Sequence, residues 1–456
     1  MINFYEEALK RKDDLLKDLI TLVQIPSVDD PSTAGENQPF GKANREALNA
    51  MLAIGKRDGY EVDEVDGYAG HIDIGDKEET FGVLGHLDVV PCNEVGWNTD
   101  PYNPVINNGV IYGRGVADDK GPLLAAYYAA KIVNEMDFEK KYKIRVIFGC
   151  DEENGSSCVK YYFKHRPYPA MGFTPDADFP VVFGEKAMVG FNLTGKIDDE
   201  KIISINGGTR SNIVPNNACA CLKGSLEDYE ESFNAFLKEN NATGSITMNN
   251  HVVLKVDGRS AHGSVPERGT NAIVLLCHYL HTITDNKLVA FIDDYFYEDT
   301  AGKKLGIAHS GALGALTNNL GILNYEDGHI NMVLDVRFSN EVDPIKDVVD
   351  VVTKKASAYD LAVDYNATPS LYVDPESELI KKLHAAYVDV TNDHEHGPQA
   401  MGGGTYAKAM PNCVAFGAEF PGRDNKMHED DETIVFEELL QSAAVYAQAL
   451  YNILKK

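Results

Sequence analysis

Gly85-His86-Leu87-Asp88 closes a strand-like run at 81–85. Residues i and i+2 of an extended segment point the same way. Asp88 can therefore accept the second ring N–H of His86 and fix its tautomer, as a metal-bound histidine requires. Gly113-Arg114-Gly115-Val116-Ala117-Asp118-Asp119 is a Gly-bounded loop just ahead of a helix, where backbone N–H groups favour anions. A carboxylate there has two oxygens and can bridge two cations, although the same residues also read as an N-cap beside a solvated lysine. Asp151-Glu152-Glu153 follows a second strand-like run. Neighbouring side chains diverge, so one glutamate can bind metal while the other moves protons; an exposed acidic turn has the same appearance. Asp176 sits in a Pro-bounded loop, and His428 in a polar loop late in the chain, where a turn Asp and a surface His are the plainer readings. Taken together, two histidines and several carboxylates form an N/O ligand set suited to a pair of ions such as Zn²⁺, Mn²⁺ or Co²⁺. The absence of cysteine near them speaks against a structural zinc finger.

The elements that must hold these loops follow from periodicity. Residues 4–24 read as an amphipathic helix, 42–58 as a second and 122–133 as a third, with Pro122 in a first turn that needs no N–H. Strand-like runs at 60–65, 70–75, 81–85 and 143–148 alternate with them, which predicts an α/β domain with a mixed, largely parallel sheet. Sites in such domains collect at the carboxyl ends of strands. After about residue 185 the texture changes. Strands are expected at 188–195, 201–206, 217–222, 251–256, 309–317 and 329–337, interleaved with helices at 226–239, 270–285 and 344–358. That stretch reads as an α+β domain inserted at 185–371. The tail from 372 to 456 (helix 374–391, strand 413–417, helix 432–454) is too short for a core of its own and is expected to rejoin residues 1–184.

The chain has 456 residues and a formal net charge of −28, which excludes the basic footprint of a nucleic-acid binder and disfavours anionic membranes while permitting cations. Seven dispersed cysteines read as reduced thiols, and neither a secretory signal nor a membrane span is visible, so a cytoplasmic protein is expected.

The series GHLDVVP (85–91), Trp97 with DPYNP (100–104), YGRGVADDKGP (112–122), DEENGS (151–156), PDADFP (175–180), GRSAHGSVPERGTNA (258–272) and GGGTYA (402–407) covers nearly the whole chain in order. It resembles the di-zinc peptidase family of carboxypeptidase G, succinyl-diaminopimelate desuccinylase, acetylornithine deacetylase and the carnosinases. Within that family it is most similar to the dipeptidase V, Xaa-His dipeptidase-like, branch. The resemblance implies a two-domain fold, with a phosphorylase/hydrolase-like catalytic α/β domain and an inserted lid of doubled, ferredoxin-like halves. It implies that His86 and Asp176 bind one ion, Glu153 and His428 the other, and that Asp118 bridges them. Asp88 would orient His86, Glu152 would act as general base, and His262 would stabilise the oxyanion. Gly402–Tyr406, including Gly403, Gly404 and Thr405, would line the substrate site. Arg337 would bind the substrate carboxylate, with Asn212 as a further contact.

The expected activity is hydrolysis of dipeptides with free termini, using a water whose pKa two divalent ions lower: Zn²⁺ first, Mn²⁺ or Co²⁺ as alternatives. An N-acyl amino acid amidohydrolase of the same fold is the alternative, and a non-catalytic cation-binding protein a distant third. The insert is about twice what one four-stranded lid needs. In dimeric relatives the lid of one subunit reaches the other's site, so a doubled lid predicts a monomer.

Overall fold

A computed structural model describes residues 2–93 and 95–456. It divides into two compact units: the first runs to Gly184 and takes in Val373–Gln399 and Gly404–Lys456, and the second comprises Glu185–Tyr372 and Ala400–Gly403. The chain begins with α1 (Phe4–Leu9), α2 (Lys12–Val23), α3 (Lys42–Arg57), β1 (Glu61–Val65), β2 (Ala69–Ile74) and β3 (Thr80–His86). It continues through α4 (Lys120–Glu135), β4 (Lys143–Gly149), α5 (Ser157–His165), β5 (Met171–Thr174) and β6 (Val182–Glu185). In the second unit follow β7 (Ala187–Lys196), β8 (Ile202–Gly207), β9 (Asn217–Leu222), α6 (Glu230–Glu239), β10 (Thr243–Asn249) and β11 (His251–Asp257). Then come α7 (Ala272–His281), α8 (Lys287–Phe296), β12 (Thr317–Glu326), β13 (His329–Phe338), α9 (Asp350–Ser357) and β14 (Ala362–Thr368). The return to the first unit carries α10 (Glu378–Thr391), β15 (Cys413–Ala415) and α11 (Phe436–Leu454).

The first unit's sheet runs in the order β1-β2-β4-β3-β5-β15-β6. Parallel pairing is confined to its centre, β4-β3-β5-β15, while β1, β2 and β6 join antiparallel. The central strands are buried along nearly their whole length, as strands covered on both faces must be. Helix α4 is apolar all round and buried from Lys120 through Val133, save Lys131. Two tyrosines tether it: Tyr128 donates to Asp18 and Tyr127 to Asp58, each at 2.8 Å, and Arg57 grips Asp18 at 2.6 and 2.9 Å. The predicted opening helix is two helices, α1 and α2, because the backbone leaves helical geometry at Arg11.

The second unit is built on one antiparallel eight-stranded sheet, β10-β11-β9-β8-β12-β13-β7-β14. It consists of two four-stranded halves joined edge to edge where β8 meets β12. Numbered by appearance, β7, β12, β13 and β14 lie in the order 2-3-1-4, the ferredoxin-like arrangement. The other half shows the same order once β8 is taken as its last strand, which makes it a circular permutation of the first.

His71, on β2, is buried, with its Nδ1 3.0 Å from the Tyr162 hydroxyl. Burial, and secondarily the Arg145 guanidinium, push its pKa down to about 4. The unfolded chain takes up a proton near pH 6.5 that the folded chain refuses, so this stabilisation is present above that pH and lost as pH falls toward 4. The loss amounts to about 3 kcal/mol, the free energy of a shift of this size. Urea unfolding of wild type and His71→Gln between pH 7 and 4.5 checks this. The variant should show the shallower acid decline, and equal slopes would refute the assignment.

Candidate metal centre

Each proposed ligand in the first unit is delivered by a loop next to a central element. His86 ends β3, Glu152 and Glu153 follow β4, and Asp176 follows β5, all at the carboxyl edge of the parallel strands. Asp118 ends the loop before α4. Gly121 is obligatory at that corner, since a Cβ on it would lie 2.0 Å from the Val116 carbonyl oxygen. His428 sits in the left-handed region at φ 64°, a conformation costly for a side-chain-bearing residue and concentrated at functional sites.

These loops bring five side chains together. His86 Nε2 is 2.9 Å from Asp118 Oδ1 and 3.6 Å from Asp176 Oδ2. His428 Nε2 is 2.8 Å from Asp118 Oδ2 and 3.0 Å from Glu153 Oε2. Among the described residues, His86, Asp118 and Asp176 form one group able to hold a metal ion, and Asp118, Glu153 and His428 a second; in each, the ligand atoms lie within 4.8 Å of one another. Asp118 belongs to both and turns one oxygen toward each.

Asp88 acts differently from the sequence expectation. The main-chain carbonyl of Asp88, not its carboxylate, meets His86 Nδ1 at 2.9 Å; the carboxylate Oδ1 stands at 3.5 Å. The other carboxylate oxygen accepts the Glu153 N–H at 3.0 Å. The chain continues past His86 so that the carbonyl faces the ring, which frees the side chain to orient the neighbouring glutamate. Asp119 Oδ2 accepts the His86 N–H at 3.0 Å, and Tyr406 packs edge-on to the His86 ring at 6.1 Å.

The electrostatics are those of crowded carboxylates. Burial raises the pKa of Glu152 well above the usual range, and Glu153, Asp88 and Asp118 add to it against the pull of His86. Burial and the Asp118 charge raise Glu153 and Asp176 as well. Asp118 is held below the carboxylate range: burial opposes its charge, but hydrogen bonds from His428 and His86 prevail. Those bonds from Asp118 and Glu153 push His428 up to about 10. So many acids on two imidazoles call for added positive charge. The donor set, imidazole and carboxylate without thiolate, fits two divalent ions of intermediate hardness.

Of the remaining proposed residues, Asn212, His262, Arg337 and Gly403 lie in the second unit. His262 is exposed, with Nδ1 2.6 Å from Ser264 Oγ, and its segment pairs with Asn212-Ile213 through Gly263 N–H to Asn212 O at 2.7 Å. Arg337 is buried, bound to Asp335 at 2.6 Å and to the Gly402 carbonyl at 2.7 Å. It shares with Asn212 the lining of a cavity of about 550 Å³. Gly403 belongs to this unit; Gly404 and Thr405 belong to the first, where Thr405 caps the turn at Tyr406 by accepting the Ala407 N–H at 3.1 Å.

Residues 82–452 match Peptidase family M20/M25/M40. The chain belongs to the M20 peptidases. It is 37% identical over its full length to all of a Bacillus subtilis (strain 168) protein described as "Putative dipeptidase YtjP". It is 35% identical, over 98% of both chains, to a Staphylococcus epidermidis protein described as "Putative dipeptidase". In fold it is similar to the di-peptidase Dug1p of Saccharomyces cerevisiae, with a TM-score of 0.63 at 13% identity over 99% of this chain and 98% of the other. Human carnosine dipeptidase 1 gives a TM-score of 0.62 at 14% identity, with the same coverage. This M20 chain is thus a peptidase with a two-domain mixed α/β fold.

Sequence reasoning missed Glu432 and Arg114. Glu432 is fully buried and accepts the Gly115, Ala117 and Asp118 N–H groups at 3.0, 2.9 and 3.2 Å, and Arg114 binds it at 2.7 Å. Its spacing, four residues after His428, was the available signal.

Proposed function

We propose that this chain is a metal-dependent dipeptidase that cleaves short peptides with free termini. The observation that carries the reading is Asp118, which offers one oxygen to each of two ligand groups. His86 and Asp176 would hold one ion, Glu153 and His428 the other, and Asp118 both. When bound, the ions supply Lewis acidity toward a water and the scissile carbonyl. Glu152, whose proton affinity burial and the neighbouring carboxylates raise, takes the proton from the attacking water as a carboxylate and passes it to the leaving amine. His262 serves as the oxyanion donor and Arg337 as the clamp on the substrate carboxylate, with Asn212, Gly403, Gly404 and Thr405 as further contacts. The excess of carboxylates suits a free α-ammonium group, which blocked substrates lack.

Two further readings accompany this one. Seven free cysteines fit a reducing, cytoplasmic setting. A doubled second unit, with its two half-sheets joined inside one chain, fits a monomer. Among the described residues, no helix is long and apolar enough to cross a membrane.

The test is a panel of Ala-X dipeptides beside N-acetyl and N-succinyl amino acids, assayed with the metal-loaded protein. Hydrolysis of the free dipeptides is expected. Activity confined to the blocked substrates would replace this reading with an N-acyl amino acid amidohydrolase.

A further inference from the structure

The loop that carries Asp118 and the loop that carries His428 are locked together by one buried ion pair, and neither member of it is a candidate ligand. Glu432 is fully buried, and its Oε1 accepts three loop amides, from Gly115, Ala117 and Asp118, at 3.0, 2.9 and 3.2 Å. Its Oε2 takes the Arg114 Nη1–H at 2.7 Å and stands 3.1 Å from the Gly115 nitrogen. Its own carbonyl accepts the Gly113 N–H at 3.1 Å. Segment 113–118 is therefore tied to a single residue through the Gly113, Gly115, Ala117 and Asp118 amides and the Arg114 side chain.

Arg114 carries the tie across to the second loop. Its other terminal nitrogen donates to the Glu429 carbonyl at 3.1 Å, one residue beyond His428, and its guanidinium lies 5.3 Å from the Trp97 ring. The His428 loop is closed at its base by the Thr433 N–H to Asn425 carbonyl bond at 3.0 Å. One charged pair thus fixes the backbone on both sides of the 2.8 Å contact between Asp118 and His428. Charge-assisted bonds in a water-excluded setting are short and directional, which is what holds ligand loops to a fraction of an ångström.

We infer that the Glu432–Arg114 pair is a positioning device for the centre, setting the distance between Asp118 and His428 and so the affinity of the ion held by Asp118, Glu153 and His428. The inference rests on the dinuclear reading proposed above. The group of His86, Asp118 and Asp176 depends on it less, because His86 is also set by Asp88 and Asp119.

Glu432→Gln keeps the side-chain length but turns an amide N–H₂ toward donors that have lost their acceptor. Co²⁺ titration of the chelator-stripped protein, followed by its visible absorption, reads the consequence directly. Wild type should fill with two equivalents. The variant should keep one at wild-type affinity and bind the other about 10–100-fold more weakly, the usual effect of losing a partner behind a ligand. Glu432→Asp keeps the charge while drawing it back by one methylene. It should lie between the two, which covers the case in which the amide variant does not fold. Melting of the stripped proteins separates general damage from this role: a loss of both equivalents in step with a lower Tm would overturn the inference. So would two wild-type equivalents in Glu432→Gln. A wild type that binds fewer than two would overturn the dinuclear reading and this inference together.

Discussion

Glu152→Gln is expected to lower kcat by about 10²–10⁴-fold, the contribution of a positioned general base, while metal content stays at the wild-type value. The side chain sits directly before Glu153 but diverges from it, and it belongs to neither ligand group. Burial raises its pKa, and the carboxylates of Glu153, Asp88 and Asp118 raise it further. A carboxyl so placed holds a proton more tightly than an ordinary surface glutamate, which suits it to accepting one from water. Glutamine fills the same volume and cannot take the proton. Single-turnover hydrolysis alongside metal analysis reads both halves of the expectation. A variant that loses metal along with activity would make Glu152 a ligand and leave the base unassigned.

Asp118→Asn should be at least as damaging, for a different reason. The carboxylate faces His86 with one oxygen and His428 with the other, at 2.9 and 2.8 Å. Asparagine retains one acceptor and replaces the second with a donor, so one chain can no longer offer an oxygen to two cations. Metal stoichiometry is expected to fall below two. Hydrolysis should drop by about 10³-fold or more, since Lewis-acid stabilisation amounts to several kcal/mol. The loop itself should survive, because Glu432 holds it through backbone amides that the substitution leaves in place. Inductively coupled plasma analysis of the purified variant decides the first point. Full metal content with full activity would remove Asp118 from the centre.

The fold class and the loops that carry the candidate ligands are legible in the sequence, more so than the strands of the second unit, and the reason is physical. His86, Asp118, Glu152, Glu153 and Asp176 lie where loops meet buried helices and strands with clear hydrophobic patterning, so their spacing could be read from that patterning. β10 is not legible in the sequence because Thr243–Asn249 is an edge strand, partly or fully exposed along its length, with little apolar signal. The strand expected at 309–317 is two short ones, Ser310–Gly311 and Gly314–Ala315, and β12 from Thr317 to Glu326 goes unsignalled because Asn318 and Asn319 look like turn residues and are buried instead. Asn319 explains itself by donating to the Ser211 and Ile213 carbonyls at 2.9 and 3.0 Å, which pins the Asn212 segment. The role of Glu432 is invisible locally, since the amides it holds are more than 300 positions away in sequence. Asp88 was placed correctly beside His86, yet which of its oxygens meets the ring depends on how the backbone turns after β3.

The most direct measurement is hydrolysis of an unblocked dipeptide as ions are returned in steps to chelator-stripped protein. Activity should be absent without metal and rise to a plateau at two ions per chain. Full activity in the stripped protein, or a plateau reached at a single ion, would contradict the two-ion dipeptidase.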